Sequence, residues 1–137
     1  MKKSIELRLN SDPELLRVLR ATAAQISHLA GFSSLDVGKI VLAVDEACSN
    51  VMRHAYGGAL NKPIIITFII EKSKLVIQIL DYGKSFDLKK VKPRDLDEIK
   101  PGGLGLHLIN SVMDDVQFKS NGAQGNVMIM TKHIEKE

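Results

Sequence analysis

Glu46, Asn50 and His54 place a carboxylate, an amide and an imidazole four residues apart. On a helix such residues lie one above another. Ile40, Val44, Ala47, Val51 and Ala55 recur at spacings of three and four and form an apolar stripe beside them. The polar file therefore borders a buried face. Acid, amide and imidazole in that position are suited to holding a divalent ion and activating a hydroxyl.

Two further stretches carry chemistry. In Asp81-Tyr82-Gly83-Lys84-Ser85-Phe86-Asp87, Asp81 falls where a strand ends. A carboxylate fixed there can accept from an exocyclic amine such as that of adenine. Gly83 lets backbone come close to a flat ring. Gly102-Gly103-Leu104-Gly105 then opens a helix, where backbone N–H groups and the helix dipole favour an anion. It is not a P-loop, because no Gly-Lys-Ser/Thr follows. It is a poor dinucleotide fingerprint too, because Leu108 replaces the third small residue and a basic loop precedes it.

The elements that must position these groups are readable in order. Ile5, Leu7 and Leu9 alternate with Glu6, Arg8 and Asn10 as in a half-buried strand. Ser11 or Asp12 caps a first helix with Pro13 at its start, and Gly31 ends it. Ser33 or Ser34 starts a long helix, about 35–55, closed by Gly57-Gly58. Pro63 to Ile70 and Leu75 to Leu80 form a hairpin, with Ile64, Ile65 and Ile66 expected in a strand covered on both faces. From Lys84 to Pro101 lysines replace apolar residues, and a loop of that length suggests a lid. A third helix is expected through about Met113. Val116 and Phe118, with Val127, Ile129 and Thr131, form a second hairpin around Asn121-Gly122. The order β-α-α-β-β-α-β-β predicts an α+β two-layer sandwich, a mixed, mostly antiparallel sheet with its helices on one face.

The 137 residues fit one domain able to bury a core. A net charge of +3 without Trp or aromatic-interleaved basic patches argues against nucleic acid. Cys48, the single cysteine, excludes an intramolecular disulfide and reads as a small buried hydrophobe. No stretch has the length of a membrane span and the N-terminus lacks a signal-peptide pattern, so no membrane association and a cytoplasmic location are expected.

Taken together, helix Glu/Asn, strand-end Asp-x-Gly, loop and Gly-x-Gly at a helix start resemble the Bergerat-type ATP-binding fold. The closer resemblance is to the anti-sigma factor serine/threonine kinases. It rests on Asp45-Glu46-Ala47-Cys48-Ser49-Asn50-Val51-Met52-Arg53-His54-Ala55-Tyr56, on Asp81 to Asp87, on Gly102 to Leu106, and on Met113-Asp114-Asp115-Val116 with Thr131-Lys132. The resemblance implies ATP and Mg2+ as cofactors and direct transfer to a serine of a STAS-type anti-sigma antagonist. It also implies sequestration of a sigma factor, and a homodimer whose contacts could involve the first strand and helix.

By the same resemblance, Glu46 is the general base, Asn50 the magnesium ligand, and Asp81 the acceptor of the adenine amino group, supported by Thr131 through water. Gly83 borders the base. Gly103, Leu104 and Gly105 hold phosphates beneath the lid, and His54 lies at the nucleotide or orients the helix end. Some relatives carry an arginine immediately before the glycines; this chain has Pro101, leaving Lys100 or Lys84 as substitutes without the planar fork. That departure opens an alternative, a nucleotide-gated binding module with little kinase activity. The catalytic half of a histidine kinase is disfavoured because the chain lacks long dimerisation helices before the site.

Overall fold

The computed structural model describes residues 2–85 and 105–135. Strand β1 (Lys3–Asn10) leads into a single 3-10 turn (Pro13–Leu15), which Asp12 caps by accepting from the Glu14 N–H at 3.0 Å. Helix α1 (Leu16–Ala30) ends at Gly31, whose φ of 105° lets the N–H turn back to the last carbonyls. Ser33 caps α2 (Ser34–Asn50) through the Asp36 N–H at 3.2 Å. There follow β2 (Pro63–Ile70), β3 (Lys74–Asp81), α3 (Leu106–Val112), β4 (Asp115–Ser120) and β5 (Asn126–His133).

The five strands are ordered β1-β2-β3-β5-β4, and every neighbouring pair is antiparallel. The sheet was expected to be mixed but mostly antiparallel; among the described residues it is antiparallel throughout. The α+β two-layer architecture is as expected. Ile64, Ile66 and Phe68 of β2 and Leu75, Ile77 and Ile79 of β3 are buried with Leu19, Ala23 and Ile26 of α1 and Ile40, Val44 and Ala47 of α2. Ile65, Thr67 and Ile69 are only half-buried. Strand β2 is therefore not covered on both faces; β-branched content gave it a run of isoleucines, but the helices lie on one side. Such alternation is usual for an antiparallel sheet with one packed face.

Helix α2 also differs from expectation. The α-helical ladder stops at Asn50, and Val51–Ala55 form a π-helical turn. Its bonds span five residues, as in Tyr56 N–H to Val51 C=O at 2.9 Å. His54 lies in this wider turn, so the file of Glu46, Asn50 and His54 is not a continuous α-helical stack. Glu46 and Asn50 keep α-helical spacing.

Candidate functional site

A cleft of about 500 Å³, open mouth included, lies between the end of α2, the end of β3 and the start of α3. Ala47, Val51, Ile79, Leu106, Phe118 and Met128 give it apolar walls, while Asn50, His54, Asp81 and Lys84 add polar groups. Flat apolar walls with a few convergent polar groups are the usual makings of a small-molecule site. Among the described residues no helix is long and apolar enough to cross a membrane.

Asp81 is the last residue of β3 and only 4% exposed. Its inward alternation continues that of Ile77 and Ile79. The Asp81 Oδ1 accepts from the Gly83 N–H at 2.9 Å and from Asn126 Nδ2 at 3.0 Å. Asn126 Nδ2 also donates to the Gly83 carbonyl at 3.0 Å, and Asn126 Oδ1 accepts from the Ser120 hydroxyl at 2.8 Å. A buried carboxylate needs such partners. With Oδ1 engaged, Oδ2 has none among the described residues and remains an acceptor for a ligand donor.

Gly83 lies against the π-helical turn. A Cβ there would overlap the Ala55 carbonyl, so the close approach requires glycine. The neighbouring Lys84 N–H donates to that same Ala55 carbonyl at 2.8 Å. The Tyr56 hydroxyl donates to the Pro63 carbonyl at 2.6 Å and accepts from the Tyr82 N–H at 2.7 Å. Burial pushes the Tyr56 phenol above its ordinary value, so it stays protonated and able to donate.

Gly105 precedes α3 with φ of 61°, and a Cβ built on it would overlap the Glu46 carboxylate. Gly105, the last glycine of the motif, is thus in contact with the helix acid. Glu46 Oε1 lies 3.5 Å from Arg53 Nη2, which also donates to Asn50 Oδ1 at 3.3 Å. One guanidinium spans the acid and the amide. The pair is partly exposed, so its contribution to stability is small. Arg20 and Asp45 pair at 2.8 Å on the α1 side of the same helix.

The structure brings Asn50, His54, Asp81 and Lys84 to one cleft, while Gly83 packs against Ala55 of its wall and Glu46 against Gly105. Gly103, Leu104, Lys100, Pro101 and nearly all of the expected lid lie outside the described residues. Thr131 does not belong to the group. It pairs with Val76, five residues along β5 from Asn126, which pairs with Asp81. Five residues of strand are about 17 Å. An odd offset also turns Thr131 to the opposite face of the sheet. Asn126 takes the place beside Asp81 that was expected of Thr131. Sequence reasoning missed Asn126, Tyr56 and Arg53; only the Asp81–Asn126 register singles out the first.

The family model described as the histidine kinase-like ATPase domain matches residues 9–132. The serine-protein kinases RsbW of Bacillus thuringiensis (strain Al Hakam) and Bacillus cereus (strain 03BB102) are each 34% identical to this chain over 143 positions. In each case the alignment covers 98% of this chain and 88% of the relative. The chain belongs to the histidine kinase-like ATPase family. Both of these relatives are named serine-protein kinases, as the motifs led us to expect.

Solved structures of the histidine kinase-like ATPase fold agree. The RsbU and RsbW domains of Rv1364c from Mycobacterium tuberculosis give a TM-score of 0.69 at 17% identity, over 95% of this chain and 31% of that one. The catalytic domain of the histidine kinase ThkA gives 0.58 at 16% identity, over 94% and 97%. An ATPase domain implies use of ATP, and the cleft fits that ligand. The free oxygen of Asp81 suits an amino-group donor, and the apolar walls suit a base. Among the described residues no cluster of three or more His, Cys, Asp or Glu could cage a metal. Asn50, which lines the cleft, carries an amide oxygen of the kind that can ligate a hard cation.

Proposed function

We propose that this protein is an ATP-dependent serine kinase that phosphorylates a STAS-type anti-sigma antagonist and, when unopposed, sequesters a sigma factor. The observation that carries the reading is the cleft joining Asp81, from a strand end, to Asn50, from a helix end, with Glu46 beside Gly105. The RsbW relatives, named serine-protein kinases, support the choice of acceptor.

Asp81 accepts from the adenine amino group through Oδ2 while Asn126 and the Gly83 N–H hold Oδ1. The apolar walls keep water from the base. Asn50 Oδ1 would hold the ion, and Lys84 and Gly105, with Gly103 and Leu104 as the family resemblance implies, would meet the phosphates. His54 lines the same cleft. Magnesium, when bound, neutralises charge on the transferring phosphoryl group. Glu46 receives the proton of the incoming serine hydroxyl. The phosphoryl group passes directly from ATP to that oxygen, so the P–O bond to ADP breaks as the P–O bond to serine forms.

Homodimerisation fits the sheet edge. Among the described residues strand β1 has a neighbour only on its β2 side, and Val18 of α1, 50% exposed, lies with Leu7, Leu9 and Leu15 around a groove beside it. A binding module with little transfer is the second reading, favoured by Pro101 where some relatives carry an arginine. The site itself is tested by calorimetry of Asp81→Asn. Loss of a charged acceptor should weaken ATP binding by about 1.5–3 kcal/mol. Unchanged affinity would remove Asp81 from the site and the reading with it.

A further inference from the structure

The two halves of the cleft come from parts of the chain that do not share a strand pairing or a helix. Asn50 stands at the end of α2, and Asp81 at the end of β3. What joins them is a compact joint after the π-helical turn. The Tyr56 N–H closes that turn on Val51, while its hydroxyl reaches the Pro63 carbonyl at 2.6 Å and the Tyr82 N–H at 2.7 Å. One side chain therefore ties the helix end to the start of β2 and to the residue following Asp81. Beside it, Lys84 N–H to Ala55 C=O at 2.8 Å and the glycine contact at Gly83 fasten the same two segments.

We propose that Tyr56 is a positioning residue that sets the span between the base-binding strand end and the phosphate-binding helix end. The inference rests on the cleft being a nucleotide site, and deepens that reading. Tyr56 is not among the residues lining the cleft, so it acts through Tyr82 and the helix end and not by touching the ligand. A ligand that reaches both halves gains from their fixed spacing, because the second contact forms without further ordering of the protein. A ligand that reaches only the base half gains nothing from it. Tyr56 thus matters to ATP and not to adenosine.

The test compares calorimetric affinities of the full chain and its Tyr56→Phe variant for Mg-ATP and for adenosine. The variant keeps the ring and removes the hydroxyl. Loss of a hydrogen bond of ordinary strength corresponds to about a tenfold loss of ATP affinity. Adenosine affinity should stay within about twofold. Tyr82→Pro, which removes the N–H from the other end of the same bond, should give the same split and covers the case that Tyr56→Phe does not fold. An equal loss for ATP and adenosine would make Tyr56 a support of the base pocket alone and overturn the proposal. No loss for either ligand would overturn it too. A wild-type chain that binds neither ligand would instead remove the nucleotide reading beneath it, which keeps the two failures distinct.

Discussion

Asn126 Nδ2 donates to Asp81 Oδ1 at 3.0 Å across a strand pairing that sets the two residues directly opposite each other. The bond fixes which carboxylate oxygen faces the cleft. Asn126→Ala should therefore lower ATP affinity by about 1–3 kcal/mol, the cost of leaving a buried charged group short of a partner. Thr131→Val, on the other face of the sheet, should leave affinity unchanged. Calorimetry on the two variants decides whether the register or the resemblance places the supporting residue.

Gly105→Ala probes the junction of the glycine motif with the helix acid. The residue needs φ of 61°, and its Cβ would overlap Glu46. Strain at a left-handed position alone is about 1–2 kcal/mol. The expected outcome is a measurable loss of stability by urea unfolding together with a larger loss of phosphoryl transfer, because the Glu46 carboxylate must move. A variant with wild-type transfer would show that Glu46 is not required where it stands.

Much of this was legible in the residues themselves. Gly31 and the pairs Ser11/Asp12 and Ser33/Ser34 mark helix boundaries because caps and left-handed turns are local chemistry; in the structure Asp12 caps the 3-10 turn before the first helix and Ser33 caps the second. Asp81 at a strand end and Glu46 with Asn50 on a helix follow from periodicity. What periodicity could not reach was set by tertiary contact. The π-helical turn after Asn50 is invisible to a 3.6-residue repeat. The half-exposed face of β2 depends on how many helices are available to cover it. The exchange of Thr131 for Asn126 depends on the register between β3 and β5, which no spacing within either strand reveals.

Cys48 supplies a pH dependence. It is fully buried, and desolvation, with Asp45 and Asp81 adding to it, pushes its thiol well above the ordinary 9.0. The folded chain therefore keeps a proton that the unfolded chain releases once pH passes about 9. By linkage the stabilisation is complete below that pH and falls above it, by about 1.4 kcal/mol per pH unit while only the unfolded state ionises. Tyr56, raised from 10.0, acts in the same sense at higher pH. Urea unfolding between neutral pH and about pH 10.5 should show this decline. Cys48→Ala should flatten its first part; an equally steep decline in that variant would assign the slope to other groups.

Glu46 and the cleft beside it are assigned the transfer of phosphate from ATP to a protein serine. The most direct measurement is intact-mass analysis of a STAS-type antagonist from the same genome after incubation with this protein and Mg-ATP, with Glu46→Gln run in parallel. The wild-type chain should add one phosphoryl group to a serine, and the variant none, or at least about a hundredfold more slowly. Equal transfer by the two would contradict Glu46 as the base. An antagonist left unmodified by a chain that binds ATP would contradict the kinase and leave the nucleotide-gated binding module.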